Sequence, residues 1–157
     1  MQLASTSISD EKGYTVSGPS VYLIDSEEKK ATRVAGTSQN KNQPGVWNSG
    51  SDVIIANNKL YVCEEETMSG KLSEGTSRGS VGVWHIEKDF TLTWIKRIVQ
   101  GSGDNMPEGF AVGHGGVRVV ANGKEYVYVA SYASNQIISI DTDTDKVAKV
   151  WDEERMT

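Results

Sequence analysis

The segment GVRVVANGKEYVYVASYASNQIISIDTDTDKVAKVW, residues 116–151, decides the fold. Four short runs rich in valine, isoleucine and tyrosine follow one another in it, and polar turns separate them. They are GVRVVA (116–121), YVYVAS (126–131), IISID (137–141) and KVAKVW (146–151). Asn122-Gly123 between the first two runs is a strong hairpin signal, because a type I′ turn needs positive φ at both central residues. The segment predicts a four-stranded antiparallel meander.

The same pattern occurs twice more in the preceding part of the chain. An isoleucine followed by an acid ends the third run of each unit, at Ile24-Asp25, Ile86-Glu87 and Ile140-Asp141, with spacings of 62 and 54 residues. The flanking runs also match, and they are QLASTSI (2–8), GYTVS (13–17), VYLID (21–25) and ATRVAG (31–36), then SDVIIA (51–56), KLYVCEE (59–65), VWHIE (83–87) and TLTWIKRI (91–98). Meanders repeated at this period are typical of propeller blades. We predict an all-β chain, a β-propeller segment of about three four-stranded antiparallel blades, with an ordinary sandwich or barrel as the alternative.

Composition agrees with this architecture. Hydrophobic residues make up 37% of the 157 residues, and 16 glycines against three prolines fit many short strands joined by turns. We expect one unit over residues 1–157, with blades at about 1–37, 45–99 and 110–152. The net charge of −5 argues against a nucleic-acid partner, which needs clustered basic residues. No window is apolar enough to predict a membrane span.

Other sequence features limit the compartment and the chemistry. The single cysteine, Cys63, excludes an intrachain disulfide, and zinc-type spacings of cysteine and histidine are absent. The start of the chain as given lacks the basic and apolar regions of a signal peptide. GxSxG, P-loop and HExxH motifs are absent as well. Cys63 and His85 both lie within predicted strands, where a packing role is the simpler interpretation.

Residues 128–147, YVASYASNQIISIDTDTDKV, resemble the YVTN repeat, whose pattern is roughly YVTNxxSNTVSVIDTATNKV. Ala130-Ser131 departs from it where the family has Thr-Asn, and the second unit departs further after Tyr61-Val62. GSDVIIANNKLYV, residues 50–62, is similar to the wider group of NHL and lactonase-like propellers. The resemblance implies a propeller fold. It also favours an extracytoplasmic location. Its families include lactone hydrolases, lyases, surface proteins and binding scaffolds, so it implies fold more than function.

The resemblance also raises a question of closure, because such propellers usually have six to eight blades and three cannot close a ring. An open arc leaves blade faces uncovered. We therefore expect a homo-oligomer, or docking onto the remainder of a larger propeller. The surfaces expected to be uncovered include Tyr14, Tyr22 and Leu23 in the first blade and Tyr132 and Trp151 in the third.

The strand alignment places Gly50-Ser51-Asp52 opposite His114-Gly115-Gly116 at the inner ends of neighbouring blades. Asp52 and His114 are thus candidates to hold a divalent cation such as calcium, or to act as base and acid. Arg118 on the same inner strand is a candidate for an anionic ligand, and Glu64 is a candidate at the end of the second strand. The simpler alternatives are a turn cap for Asp52, a flexible turn for His114, a structural ion pair for Arg118 and a solvated strand end for Glu64.

The run DTDTD, residues 141–145, has acids at the first, third and fifth positions of a calcium loop. Lys146 occupies the sixth position, where such a loop needs glycine, and flanking helices are not predicted. The repeat itself already requires a turn there, so a turn is the preferred interpretation.

The sequence favours a ligand-binding or protein-interaction scaffold. The alternative is a lactonase-like hydrolase with a metal or acid–base site at the mouth of the propeller tunnel. A hydrolase needs three or four convergent polar side chains, and only two lie at matching strand positions. The residues expected in the core are Val53, Ile55, Leu60, Val62, Val83, Trp84, Ile86, Trp94, Val117, Val119, Val127, Val129, Ile138 and Ile140.

Limited trypsin digestion tests the second unit's long connection, residues 66–80. This segment is polar and rich in glycine and lacks a strand pattern, so we expect the first internal cuts at Lys71 and Arg78. A first cut within residues 116–141 would contradict the blade assignment.

Overall fold

A computed structural model describes residues 5–18, 20–36, 49–67, 77–111 and 113–152. This part of the chain forms twelve strands and no helix. The strands are β1 (Ser5–Ser7), β2 (Lys12–Ser17), β3 (Ser20–Asp25), β4 (Lys30–Ala35), β5 (Ser49–Ala56), β6 (Lys59–Thr67), β7 (Ser77–Ile86), β8 (Leu92–Val99), β9 (Gly113–Ala121), β10 (Lys124–Ser131), β11 (Ile137–Asp141) and β12 (Lys146–Trp151). The predicted all-β class is confirmed, and the described residues include no helix that could cross a membrane.

The strands form three separate four-stranded sheets in the order of the chain, β1–β4, β5–β8 and β9–β12. We call these sheets blades 1, 2 and 3. Each pair of neighbouring strands is antiparallel, as the meander pattern predicted. The first strands of the blades lie near one another, since β5 contacts both β1 and β9. The arrangement is that of a three-blade propeller-like segment whose sheets do not close.

Two apolar cores hold the blades together, one on each face of blade 2. The core shared with blade 1 contains Tyr14, Val16, Val21, Val53, Leu60, Val62, Trp84 and Ile86. The core shared with blade 3 contains Ile54, Ala56, Tyr61, Cys63, Val81, Val83, Ile98, Met106, Phe110, Val127, Val129, Ile138, Ile140 and Val147. Burial on both faces explains why Val53 to Ala56 and Leu60 to Cys63 are continuous apolar runs instead of alternating ones.

The tight turns between first and second strands have the geometry that the sequence predicted. Asn122 and Gly123 have φ values of 51° and 74°, and Asn57 and Asn58 have φ values of 49° and 55°. Positive φ at both central residues gives a turn whose twist matches that of the flanking strands. Asparagine and glycine are the residues that adopt this conformation at least cost.

In blades 1 and 3 the repeated acid at the end of the third strand caps the turn that follows it. Asp25 Oδ1 accepts a hydrogen bond from the Glu28 amide at 3.0 Å, and Asp141 Oδ1 accepts one from the Asp143 amide at 2.9 Å. A carboxylate that satisfies a turn amide is the physical reason for an acid at this position. The repeated pair of an isoleucine and an acid therefore marks a turn.

The core prediction was wrong at Val117 and too strong at three other positions. Val117 is 57% exposed, and Ile55, Trp94 and Val119 are only half-buried. Val117 and Val119 lie in register with Tyr128 and Tyr126 on the face of blade 3 that points away from blade 2. The alternation of a strand gives its two faces but does not say which face another sheet covers.

Two of the residues expected on uncovered faces are instead turned toward blade 2. Tyr14 is fully buried in the core between blades 1 and 2, and Leu23 packs against that core. Tyr22 lies on the opposite face of the same sheet. The sequence therefore predicted only in part which residues of β2 and β3 lie on the uncovered face.

The connection expected over residues 66–80 is shorter than predicted. The β6–β7 ladder continues to the pair Thr67 and Ser77, so Arg78 lies within a paired strand. Residues 68–76 of that connection, with Lys71, lie outside the described residues. Because a paired backbone resists proteolysis, we no longer expect an early cut at Arg78, and Lys71 is the trypsin site that remains predicted.

Truncation at the two faces of blade 3 tests this packing. Ile140 is fully buried between blades 2 and 3, so Ile140→Ala should lower the free energy of unfolding by about 2–4 kcal/mol. Val117→Ala removes methyl groups that are already solvated, and it should change stability by less than about 0.5 kcal/mol. Urea denaturation of both variants gives the comparison, and equal losses would contradict the blade orientation.

Candidate functional site

An open groove of about 620 Å³ runs along the first strands of all three blades. Its walls are β1 with Ile8 after it, residues 52–58 of β5 and the turn that follows, residues 116–118 of β9, and Glu125. Asp52 and Arg118, predicted from the sequence as binding residues, both line it. Propeller-like stacking explains this placement, since it brings the first strand of each blade to the same side.

Asp52 joins the first strands of blades 2 and 3. Its Oδ2 accepts a hydrogen bond from the Gly116 amide at 2.7 Å, and its Oδ1 accepts one from the Val53 amide at 2.9 Å. A Cβ at Gly116 would stand 2.7 Å from Ile54 Cδ1 and 2.9 Å from the Tyr128 carbonyl oxygen, so a larger residue here would have to displace backbone. Next to this contact the Ser51 hydroxyl donates to the Gly113 carbonyl. The predicted juxtaposition of residues 50–52 with residues 114–116 is thus present in the backbone.

Arg118 and Glu125 form an ion pair at the groove. Arg118 Nη2 and Nε donate to the two carboxylate oxygens of Glu125 at 2.5 Å and 2.9 Å, and the Asn57 amide donates to Glu125 Oε2 at 2.6 Å. These donors, chiefly the Arg118 guanidinium, lower the pKa of Glu125 from 4.5 to about 2. The Arg118 side chain remains 49% exposed. The guanidinium therefore has donor surface in the groove in addition to its contact with Glu125.

His114 and Glu64 do not line this groove. His114 is exposed, and its ring lies 5.8 Å from that of Tyr132, a residue 78% exposed. Their roles as binding residues remain predictions.

Glu64 is fully buried in blade 2, where its carboxylate accepts hydrogen bonds from three donors. These are Ser80 Oγ at 2.7 Å, Arg97 Nε at 2.7 Å and Arg97 Nη2 at 3.2 Å. The Arg97 guanidinium also lies 5.0 Å from the ring centre of Trp94. A buried carboxylate with paired donors of this kind has a structural explanation, which the sequence could not provide because Ser80 and Arg97 are distant along the chain.

The acidic run at residues 141–145 contains a contact that sequence reasoning missed. Asp145 is buried, its Oδ1 accepts a hydrogen bond from the Tyr61 hydroxyl at 2.5 Å, and its Oδ2 binds Lys59 Nζ at 2.7 Å. Burial, with the hydrogen bond to Asp145, raises the pKa of Tyr61 well above its usual range. Blade 2 is thereby joined to the last turn of blade 3.

Tyr14 makes the corresponding contact between blades 1 and 2. Its hydroxyl donates to the Phe90 carbonyl at 2.8 Å, and burial raises the pKa of Tyr14 to about 12. The signal in the sequence is a Lys-x-Tyr triplet at the start of each second strand, at residues 12–14, 59–61 and 124–126. We call this triplet the Lys-x-Tyr latch.

Cys63 and His85, the remaining reactive side chains of blade 2, lie elsewhere. Cys63 is fully buried, and burial raises the pKa of its thiol well above the usual value, which is unfavourable for a nucleophile. His85 is half-buried beside an open pocket between blades 1 and 2 that Phe90 and Asp89 also line. In the described ranges, no three side chains of histidine, cysteine, aspartate or glutamate cluster as a metal centre requires.

Comparison with known proteins gives no family for this chain. No protein-family model matches it, and no curated protein is significantly similar to it. The resemblance to YVTN and NHL repeats thus rests on the residues quoted above.

The Glu125 carboxylate offers a titration test of the groove. Because its pKa is lowered in the folded state, its contribution to stability is complete above about pH 4.5 and is lost as the pH falls toward about 2. Carbon-13 NMR of the Glu125 carboxylate should show a midpoint near 2. In Arg118→Gln the midpoint should move back toward 4.5, and an unchanged midpoint would contradict the ion pair.

Proposed function

We propose that this chain is a YVTN-like β-propeller module that works as a binding scaffold and takes an anionic ligand along the groove of its first strands. The observation that carries the proposal is the position of Arg118. Its half-exposed side chain lines an open groove formed by three blades, and the guanidinium N–H groups that do not bind Glu125 suit a carboxylate or a phosphate. Glu125 holds the guanidinium in place from one side.

A scaffold is favoured over the lactonase-like hydrolase because the acids described in this region already have structural roles. Asp52 accepts hydrogen bonds from two backbone amides. Asp145 accepts a hydrogen bond from Tyr61 and forms an ion pair with Lys59. A general base or a metal ligand needs a lone pair directed at the substrate or the ion. Asp52 with His114 remains the pair on which the hydrolase alternative would depend.

The partner of such a module would be a further copy of the chain or the remainder of a larger propeller. Blades of this type are stabilised by burying each face on a neighbour, and blades 1 and 3 each have one face that belongs to neither core. An extracytoplasmic location is the expectation that comes with the family resemblance.

NMR titration with inorganic phosphate and with citrate tests the groove. We expect amide shifts at Gly116, Val117 and Asn57 and at the Arg118 side chain, because these groups surround the guanidinium. Arg118→Gln should abolish these shifts, since it removes the charge and most of the donors. Arg33→Gln, at an exposed arginine on β4, is the matched control and should leave them unchanged.

Three results would count against the proposal. Shifts that persist in Arg118→Gln, or the absence of shifts at millimolar anion, would remove the groove as the binding site. Calcium-dependent shifts at Asp52 and His114, together with hydrolysis of a model lactone, would favour the hydrolase instead.

A further inference from the structure

We infer that a second copy of this chain docks its blade 1 onto the uncovered face of blade 3, repeating the contact that already joins consecutive blades. The inference rests on the propeller-type stacking of the proposed function, but it does not depend on the groove. Its basis is that one chain carries two complementary surfaces, a face of blade 1 and a face of blade 3, that belong to neither core of the described residues.

The uncovered face of blade 3, which we call the tail face, is largely apolar. Its residues belong to neither core, and they are Val117, Val119, Tyr126, Tyr128, Ile137 and Trp151. Val117 is 57% exposed, and the rings of Tyr128 and Trp151 stack at 5.4 Å. Blade 2 uses the equivalent face, with Ile54, Tyr61 and Cys63, to cover blade 3.

The uncovered face of blade 1, which we call the head face, carries the matching residues. The repeat aligns Tyr22 and Ile24 with Trp84 and Ile86 of blade 2 and with Ile138 and Ile140 of blade 3. In blades 2 and 3 these residues bury themselves against the preceding blade, where Ile86 is 4% and Ile140 is 0% exposed. Ile24, which belongs to neither core of the described residues, is 37% exposed.

The Lys-x-Tyr latch gives the proposed contact its geometry. The hydroxyls of Tyr14 and Tyr61 each donate a hydrogen bond to the last turn of the following blade, to Phe90 and Asp145 respectively. Tyr126 occupies the same position in blade 3, and its hydroxyl has no hydrogen bond to another residue in the described ranges. In a docked pair, Tyr126 would meet the turn after Ile24 of the second copy, residues 25–29.

Charge favours the same pairing. Lys59 binds the acidic turn 141–145, and Lys12 lies 5.8 Å from the Phe90 ring within the turn that contains Asp89. Lys124 is the third lysine of this series, and its side chain is 51% exposed, 3.3 Å from Asp143 of its own blade. The turn of blade 1 that would face it carries the exposed Glu27 and Glu28, followed by Lys29 and Lys30, while Asp25 already binds Lys12 of its own blade. Opposite charges thus meet at this contact as they do at the internal latch on Asp145.

A second copy is the occupant that this evidence favours, because one chain supplies both complementary surfaces. The contact would be heterologous, joining a head face to a tail face, so it either closes into a ring or continues from copy to copy. Burial of the aromatic tail face supplies the free energy, and the latch sets the register.

Sedimentation velocity across a range of concentrations tests the contact with two charge-reversal variants. Lys124→Glu alters only the tail face, and the double variant Glu27→Lys with Glu28→Lys alters only the head face. Each alone should weaken association about tenfold or more, because a charge-assisted contact is replaced by repulsion. Their equimolar mixture should associate again at one-to-one stoichiometry, since the unaltered tail of one copy fits the unaltered head of the other and the altered tail and altered head again carry opposite charges.

Matched variants separate the latch from general effects on folding. Tyr126→Phe removes only the hydroxyl of the latch and should weaken association, whereas Tyr132→Phe removes an exposed hydroxyl outside the tail face and should not. Lys88→Glu reverses an exposed charge on a turn of blade 2 and should also leave association unchanged. Thermal unfolding midpoints of the two tyrosine variants and of Lys88→Glu at low concentration should equal that of the wild type, whereas Lys124→Glu should show a small decrease from the loss of its contacts with Asp141 and Asp143.

The inference is overturned if the wild-type chain stays monomeric at every concentration, or if its association is unchanged by both charge-reversal variants. It is also overturned if the mixture of those variants stays monomeric. Phosphate binding to the groove, measured on Lys124→Glu, is a separate readout. A retained groove signal with no association would leave the binding scaffold standing and remove only the head-to-tail contact.

Discussion

The structure depends on burial of both faces of blade 2. Its strands place Val53, Leu60 and Trp84 against blade 1, and Ile54, Tyr61 and Val83 against blade 3. A four-stranded sheet has two apolar faces to remove from water, and each neighbour can cover only one. Position in the series thus determines how each blade is stabilised. The middle blade is covered on both faces, and each outer blade has one face that belongs to neither core of the described residues.

Polar contacts then give this apolar stacking a defined register. Hydrophobic burial has no preferred direction, whereas the hydrogen bonds from Tyr14 to Phe90 and from Tyr61 to Asp145 each join one second strand to one particular turn. Asp52 adds a third constraint through the Gly116 amide. Asp52 and Asp145 therefore act as connectors between blades, and this is one reason for proposing that the fold is a scaffold.

The groove follows from the same stacking, since it lies where the first strands of the three blades meet. Arg118 has a position there that no single blade could supply, with Glu125 from its own hairpin and the Asn57 turn from blade 2 around it. A ligand at this site would contact more than one blade. Binding and blade packing would consequently be linked, because a ligand that favours the packed arrangement stabilises it.

The sequence by itself determined the class, the twelve strands and the hairpin turns, because these depend on local patterns such as Asn122-Gly123 and the Ile-acid repeat. It also brought Asp52 beside residue 116 through the alignment of the strands. Only the tertiary structure decided that Val117 is exposed, that Glu64 is buried against Arg97, and that Asp145 accepts a hydrogen bond from Tyr61. The physical reason is that alternation defines two faces of a strand without saying what covers them. Partners of buried charges also come from other blades, at separations along the chain that no local pattern records.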